Sequence, residues 1–299
     1  MTKAGYVTIL GLPNSGKSTL LNALLGQKLS IITKKPQTTR KQILGILTEK
    51  DYQIIFLDTP GILKPNYLLQ KKMMDFVSTA VFDADIILIM VDLANDKDGN
   101  KILGNETIKK IIDSKSKPLF LLLNKIDLSN EEDVKKLIAR FETTEKFLKI
   151  IPISAEYKMN IESIIIKILE VLPKGPKYYP DDIISDVNER FIVSEIIREK
   201  LLEQFQEEIP YSCEVIITEF NERENRKDFI SAEIIVERQS QKGIIIGKGG
   251  GALKKLGQIS RRAIEEFLER EVYLELRVKV RQNWRSDEKY LKSFGYSKD

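Results

Sequence analysis

Residues 11–18 read GLPNSGKS, directly after the apolar run YVTIL at 6–10. A plain turn between a strand and a helix could use two glycines in this way. The lysine and serine add chemistry that a turn does not need. Glycines let backbone N–H groups converge on an anion, and the helix-like stretch TLLNALL that follows adds the positive end of its dipole. Lys17 would reach the β- and γ-phosphates as a point charge, and the Ser18 hydroxyl would ligate Mg²⁺. A strand before and a helix after are the context this pattern requires, so Asn14, Ser15, Gly16, Lys17, Ser18 and Thr19 are read as a phosphate cradle.

Three further stretches could complete a nucleotide site. NKID at 124–127 ends the apolar run PLFLLL. A buried carboxylate at Asp127 would accept from guanine N1–H and the exocyclic amine, whereas adenine has an acceptor at N1 and no such amine. Paired hydrogen bonds of this kind can discriminate by a factor of order 10⁴–10⁵. DTPG at 58–61 also ends an apolar run: Asp58 could hold Mg²⁺ through water, and the Gly61 N–H could meet a γ-phosphate, although Pro-Gly turns are frequent in any protein. SAE at 154–156 offers the Ala155 N–H to guanine O6, with Ser154 holding the turn. In the polar loop KPQTTRKQ, either Thr38 or Thr39 could complete the metal shell.

The elements that must position these residues follow from the apolar runs at 5–11, 53–58, 85–92, 118–124 and 149–154. Runs without polar alternation suit strands covered on both faces. Helix-like stretches at 67–82 and 131–148 lie between them, so the spacing predicts βαβ units in an α/β domain with a mostly parallel sheet. The segment 27–40 reads as a polar loop. The rhythm stops at LPKGPKYYPDD (172–182), whose prolines and glycine mark a boundary. We divide the chain into a nucleotide-binding domain at 1–172, a linker at 173–187, a second domain at 188–281 and a basic tail at 282–299.

Composition limits the alternatives. The 299 residues contain no histidine, which excludes histidine triads and histidine zinc sites. The single cysteine, Cys213, cannot form an intramolecular disulfide. No stretch reads as a signal peptide or approaches the roughly 20 apolar residues of a membrane span, so a cytoplasmic location is expected.

In the second domain the spacing predicts a helix at 188–205, strands at 213–220, 229–237 and 271–281, and a helix near 251–270. Residues 238–262 carry seven basic side chains and no acidic one, around GIIIGKGGGALKKLG. A charge run is usually a solvated face. Here Gly247, Lys248, Gly249 and Gly250 leave no side-chain wall before a helix start, so a nucleic acid backbone could approach closely. Lys242, Lys254 and Lys255 join the candidate RNA-binding set. Trp284, Tyr290 and Tyr296 interleave with basic residues in the tail and could stack on bases, with packing the better role for Trp284.

The order of phosphate loop, threonine loop, DTPG, NKID and SA is that of the translation-factor-related GTPases, and QTTR, LDTPGI and NKID make residues 1–172 resemble the Era family. The second domain resembles an α+β KH domain of the second topological type. That pairing in under 300 residues is the architecture of the Era family, so the resemblance spans nearly the whole chain.

It implies a GTPase that cycles between GTP and GDP and binds the 3′ region of the small-subunit ribosomal RNA during small ribosomal subunit assembly. It assigns Thr39, together with Ser18 and Asp58, to Mg²⁺, and Lys17, Thr39, Gly61 and Asn14 to the hydrolytic step. The family places a hydrophobic residue where other GTPases carry a water-orienting glutamine, and Ile62 stands there. Asn14 matches an asparagine that helps hold K⁺ in relatives, although it could equally shape the loop. A monomeric state and a peripheral association with the inner face of the cell membrane are further expectations. The alternative is an RNA-binding nucleotide sensor whose hydrolysis is incidental.

Overall fold

The structure is a computed structural model and describes residues 2–33, 35–224 and 226–296. Contacts divide the chain into one unit of residues 1–64 with 73–186 and another of residues 65–72 with 187–299.

The first unit runs β1 (Lys3–Gly11), α1 (Lys17–Leu25), β2 (Ile43–Glu49), β3 (Tyr52–Asp58), α2 (Leu68–Asp83, from residue 73 on), β4 (Ile86–Asp92), α3 (Asn100–Leu103), α4 (Glu106–Ser114), β5 (Leu119–Asn124), α5 (Glu131–Glu142), β6 (Lys149–Ile153) and α6 (Ile161–Val171). Its sheet has the order β2-β3-β1-β4-β5-β6. Only β2 is antiparallel to its neighbour. Every residue of β4 and β5 is buried, which explains why those strands read as unbroken apolar runs. Because the other strands run parallel, Gly11, Asp58, Asp92 and Asn124 all arrive at one edge of the sheet. The order reverses at β1, and the crevice outside the strand ends at such a point is where open α/β sheets bind ligands.

Two elements differ from the sequence reading. Residues 43–49 form β2, a strand the sequence reading lacks because Gly45 interrupts its apolar run. A Cβ at Gly45 would lie 2.6 Å from Leu25 Cδ1, so glycine is what lets α1 pack against this strand. Helix α5 stops at Glu142 rather than continuing to 148. The Thr143 and Thr144 hydroxyls donate to the carbonyls of Arg140 and Phe141, Glu145 has φ +52°, and the chain then extends into β6.

The second unit contains α7 (Glu189–Gln204), β7 (Glu214–Asn221), β8 (Asp228–Val236), α8 (Gln239–Ile246), α9 (Gly251–Leu268), β9 (Val272–Val280) and α10 (Glu288–Ser293). The sheet order is β7-β8-β9, antiparallel then parallel. Ile197 and Leu201 of α7, Ile264 of α9, and Ile234 and Val278 of the sheet share one apolar core. The segment expected as a basic tail is folded. Trp284 is fully buried and donates Nε1–H to the Ser212 carbonyl at 3.0 Å. Tyr296 is buried with its hydroxyl on Glu214 at 2.8 Å. These two aromatics hold the C-terminal segment on the core, so neither is available to stack on a base. Tyr290 is half-buried and stacks on Phe294.

Candidate nucleotide site and nucleic-acid interface

The loop between β1 and α1 takes its shape from two positive-φ residues, Asn14 at +65° and Gly16 at +97°. At Gly16 a Cβ would sit 2.4 Å from Asn124 Nδ2, so the position is closed to any side chain. The Asn124 amide fills that space and links two loops, donating to the Ser15 carbonyl at 2.7 Å and accepting from the Ala155 N–H at 3.0 Å. NKID thus fixes the phosphate loop from below through Asn124. Lys125 fixes it from the side, donating to the Asn14 carbonyl at 3.1 Å while paired with Asp92 at 2.7 Å.

Lys17 is buried, with Nζ within 3.3 Å of the Gly11 carbonyl and 3.1 Å of the Leu12 carbonyl. Burial pulls its ammonium down to about 8, only partly offset by the Asp58 carboxylate. Asp58 is fully buried at the end of β3, and burial raises its carboxyl above the ordinary range against the opposing effects of Lys17, Ser18, Ser30 and Thr39. Three hydroxyls gather beside it. Ser18 donates to Asp58 Oδ2 at 2.9 Å, Ser30 does so at 3.1 Å, and Ser18 lies 2.8 Å from Thr39 Oγ1. Asp58 Oδ1 is buried without a hydrogen-bond partner. A hard oxygen-binding cation with its own waters fits such a set: one carboxylate with an unsatisfied oxygen, two or three hydroxyls, and no soft ligand. Of the two loop threonines, Thr39 is the one at this cluster, while Thr38 bonds Thr33 and the Lys35 carbonyl.

Gly61 lies against the phosphate loop, where a Cβ would come within 2.7 Å of Pro13 Cα and N, and the Ile62 N–H donates to the Gly11 carbonyl at 3.0 Å. Ile62 is 1% exposed and belongs to the apolar core that also holds Leu10 of β1, Val77 of α2 and Ile89 of β4. Thr19 is half-buried on α1, while the Ser15 hydroxyl is buried without a partner.

Two expectations change. The Ala155 N–H, assigned to guanine O6 from the sequence, is the donor to Asn124, so here it serves the link between loops. Asp127, expected to be buried, is exposed. Ser154 does hold its turn, exchanging backbone hydrogen bonds with Met159 and accepting from the Tyr157 N–H.

Sequence reasoning missed Ser30 and Asp92. Ser30 sits in the segment read as a polar loop, yet it is 1% exposed because Asn22 of α1 accepts from the Leu29 and Ser30 N–H groups and donates to the Ser30 carbonyl. Nothing distinguishes it in the sequence. Asp92 has a signal: it ends the buried run IILIMV at the same sheet edge as Asp58 and Asn124.

In the second unit, Gly247, Gly249 and Gly250 have φ of +71°, +59° and +78°. A Cβ at Gly247 would meet Ala252 at 2.7 Å, whereas Gly249 and Gly250 face open space. Lys248 and Gly249 are exposed at the turn before α9. Beside it, α9 and β9 enclose a groove of about 630 Å³ with an apolar floor of Leu253, Leu274 and Leu276. Of the expected RNA-binding set, Gly250 and Lys254 line this groove, while Lys242, Gly247, Lys248, Gly249 and Lys255 do not. Arg261, one of the seven basic side chains of residues 238–262, also lines it, as do Lys227, Gln258 and Tyr273, which sequence reasoning did not single out.

Comparison with known proteins agrees with this layout. A family model described as a 50S ribosome-binding GTPase matches residues 6–125, and one described as a KH domain matches residues 208–285. The chain is 44% identical over 298 residues to GTPase Era of Clostridium botulinum (strain Eklund 17B / Type B), covering 100% of both chains. It is 46% identical over 297 residues to the chloroplastic GTPase ERA1 of Zea mays, covering 98% of this chain and 70% of that one. Among solved structures, Era in complex with MgGDPNP and nucleotides 1506–1542 of 16S ribosomal RNA aligns with a TM-score of 0.92 at 39% identity, covering 100% of both chains. Aquifex aeolicus Era bound to GDP.AlF4- aligns equally well, with a TM-score of 0.92 over 99% of this chain and 100% of that one.

Proposed function

The chain belongs to the Era GTPase family, and on that premise we propose that it binds and hydrolyses GTP, binds the 3′ region of small-subunit ribosomal RNA through its KH domain, and acts in small ribosomal subunit assembly. The observation that carries the nucleotide half is the meeting of Lys17, Ser18, Thr39 and Asp58 at one sheet edge, under a loop that Asn124 locks in place. In this reading Lys17 neutralises the β- and γ-phosphates. Ser18 and Thr39 ligate Mg²⁺ directly, while Asp58 acts through water. Mg²⁺ supplies charge neutralisation between the phosphates. The Gly61 N–H faces the γ-phosphate, the N–H groups of residues 14–19 cradle the others, and Asp127 reads the guanine edge. Substitution at Asn14 tests an accompanying K⁺: turnover faster in potassium than in sodium is expected, with Asn14→Ala removing the difference.

RNA phosphates meet the exposed turn at Lys248 and Gly249, and unpaired bases lie in the apolar groove between α9 and β9. Lys242, Lys254 and Lys255 add positive potential. The reading includes a monomeric cytoplasmic protein with a peripheral contact to the inner face of the membrane. No helix among the described residues is long and apolar enough to cross a membrane.

A second reading, a nucleotide sensor with incidental hydrolysis, is favoured by the burial of Ile62, which leaves no side chain at that position to orient water. Single-turnover phosphate release from bound GTP, with and without an RNA copying the small-subunit 3′ end, separates the two. Hydrolysis that accelerates with RNA supports the coupled enzyme. A rate unchanged by saturating RNA favours the sensor.

A further inference from the structure

On the face of the second sheet that points away from α7 and α9, three side chains form one continuous stack. The Arg223 guanidinium lies 5.0 Å from the centroid of the Phe229 ring. Phe229 in turn stacks on Tyr273, with centroids 5.9 Å apart and planes within 16°. Phe229 and Tyr273 are paired residues of the parallel β8–β9 ladder, so the stack runs across the sheet at one register position. Alternation along β9 assigns the faces: Val272 and Val278 are buried in the core, while Tyr273 between them points outward.

The stack ends on an open ring. β9 is an edge strand, so among the described residues no further strand lies beyond Tyr273. Its side chain is 59% exposed, although one face is covered by Phe229. The residue stands on the opposite face from Leu274 and Leu276 and meets the groove at its β9 lip; Lys227, Lys254 and Arg261 line the same groove. An aromatic ring held by a cation–π and π stack and open on its far side, at the lip of a groove whose lining also includes Lys254, Lys227 (3.4 Å from Glu271) and Arg261 (3.5 Å from Glu265), offers what an unpaired nucleotide requires. The base needs a π-face, and its phosphates need positive charge. Because Arg223 and Phe229 already fix the ring, a base landing on it would freeze few additional rotamers.

We propose that Tyr273 is a nucleobase-stacking residue, taking one unpaired base of an RNA strand at the β9 side of the groove. This rests on the KH reading above and deepens it: the groove and glycine turn hold the strand, and the stack adds an aromatic contact at their border. Stacking on an aromatic side chain typically changes affinity by about 5- to 150-fold on alanine substitution. It also differs from phosphate contacts in one measurable respect. Contacts with phosphate release counterions and set the slope of affinity against salt, whereas loss of stacking lowers affinity without changing that slope.

The test uses the full chain and a single-stranded RNA copying the 3′ end of small-subunit ribosomal RNA, together with a series of that RNA made abasic at one position at a time. Tyr273→Ala and Tyr273→Ile should weaken binding by about 5- to 150-fold with an unchanged salt slope. Tyr273→Phe should stay near wild type. Isoleucine suits an edge strand, so the second variant preserves the sheet should alanine unsettle it. One abasic position should cost the wild type affinity and cost Tyr273→Ile almost nothing. Wild-type affinity in Tyr273→Ile, or equal abasic losses in both proteins, would overturn the proposal. If a Lys248→Asp, Gly249→Asp double variant loses the RNA while Tyr273 variants do not, the stack is refuted and the KH reading stands. Failure of the wild type to bind any of these RNAs refutes both.

Discussion

Two glycines of the same backbone type offer an internal control for how the phosphate loop is held. Gly16 and Gly26 flank α1, with φ of +97° and +70°, so alanine at either adopts a left-handed conformation costing about 1–2 kcal/mol. They differ in what surrounds them. Nothing lies within 4 Å of a Cβ at Gly26, whereas a Cβ at Gly16 would stand 2.4 Å from Asn124 Nδ2. That amide cannot yield without leaving the Ser15 carbonyl and the Ala155 N–H, two buried hydrogen bonds worth about 0.5–1.5 kcal/mol each. The expected losses are therefore about 1–2 kcal/mol for Gly26→Ala and about 2–5 kcal/mol for Gly16→Ala. Urea unfolding of the two variants measures this, and a fluorescent GDP titration adds the functional side. Gly16→Ala should bind GDP at least about tenfold more weakly, since the displaced amide carries both the phosphate loop and the turn at Ser154, while Gly26→Ala should bind as wild type. Equal destabilisation of the two variants, or tight GDP binding by Gly16→Ala, would refute the idea that Asn124 is what keeps position 16 closed.

Three other outcomes are expected. Asp127→Asn should lose GTP and gain xanthosine triphosphate, by about 1.5–3 kcal/mol, the range for hydrogen bonds to a charged group; competition binding of the two nucleotides measures the exchange. The double variant Lys248→Asp, Gly249→Asp should lose RNA affinity steeply at low salt and less at high salt, with GTP affinity unchanged; both side chains would be exposed, although φ +59° at residue 249 adds some strain. Lys17 titrates near 8 in the free protein, and bound phosphate should raise that value, so binding takes up a proton above pH 8. GTP affinity should be flat below about pH 7 and fall above 8 by up to tenfold per unit, and a flat profile to pH 9.5 would contradict it. In the nucleotide-free protein the same depression has the opposite consequence, with stability rising as pH goes from about 8 towards the ordinary 10.5.

What could be read from the sequence was whatever local chemistry writes into adjacent residues. The phosphate loop, DTPG and NKID are each contiguous, and each ends a largely buried strand, so spacing alone brought Lys17, Asp58 and Asn124 to one edge. β2 was not legible, because its packing on α1 depends on a missing side chain at Gly45 rather than on an apolar run. Ser30 was not legible either, since its burial is imposed by Asn22, eight residues earlier on a helix. The second unit repeats this division. GKGG identifies its own turn, but the Arg223–Phe229–Tyr273 stack exists only through pairing of strands 44 residues apart in register. The folded C-terminal segment likewise needed Ser212 and Glu214 as partners for Trp284 and Tyr296, which no local pattern announces.

The burial of Ile62 bears on how a γ-phosphate would be sensed. Its side chain is held in the core and its N–H on the Gly11 carbonyl, so the residue after DTPG cannot turn towards the nucleotide without leaving both. Gly61 meanwhile touches Pro13 closely enough that no Cβ fits between them. The end of β3 and the phosphate loop are thus one packed body, joined at backbone level. Under the proposed function the added charge of a γ-phosphate is met by Lys17, the Gly61 N–H and the metal cluster, none of which supplies a general base. Rate enhancement must then come from charge placement around the phosphate and from ordering the loop that carries Thr39, since electrostatic positioning is what phosphoryl transfer chiefly requires. The Thr39 hydroxyl stands 2.8 Å from Ser18, and the Asn22 clamp holds the chain at Ser30. Both contacts tie the loop that carries Thr39 to α1, the helix that opens at the phosphate loop.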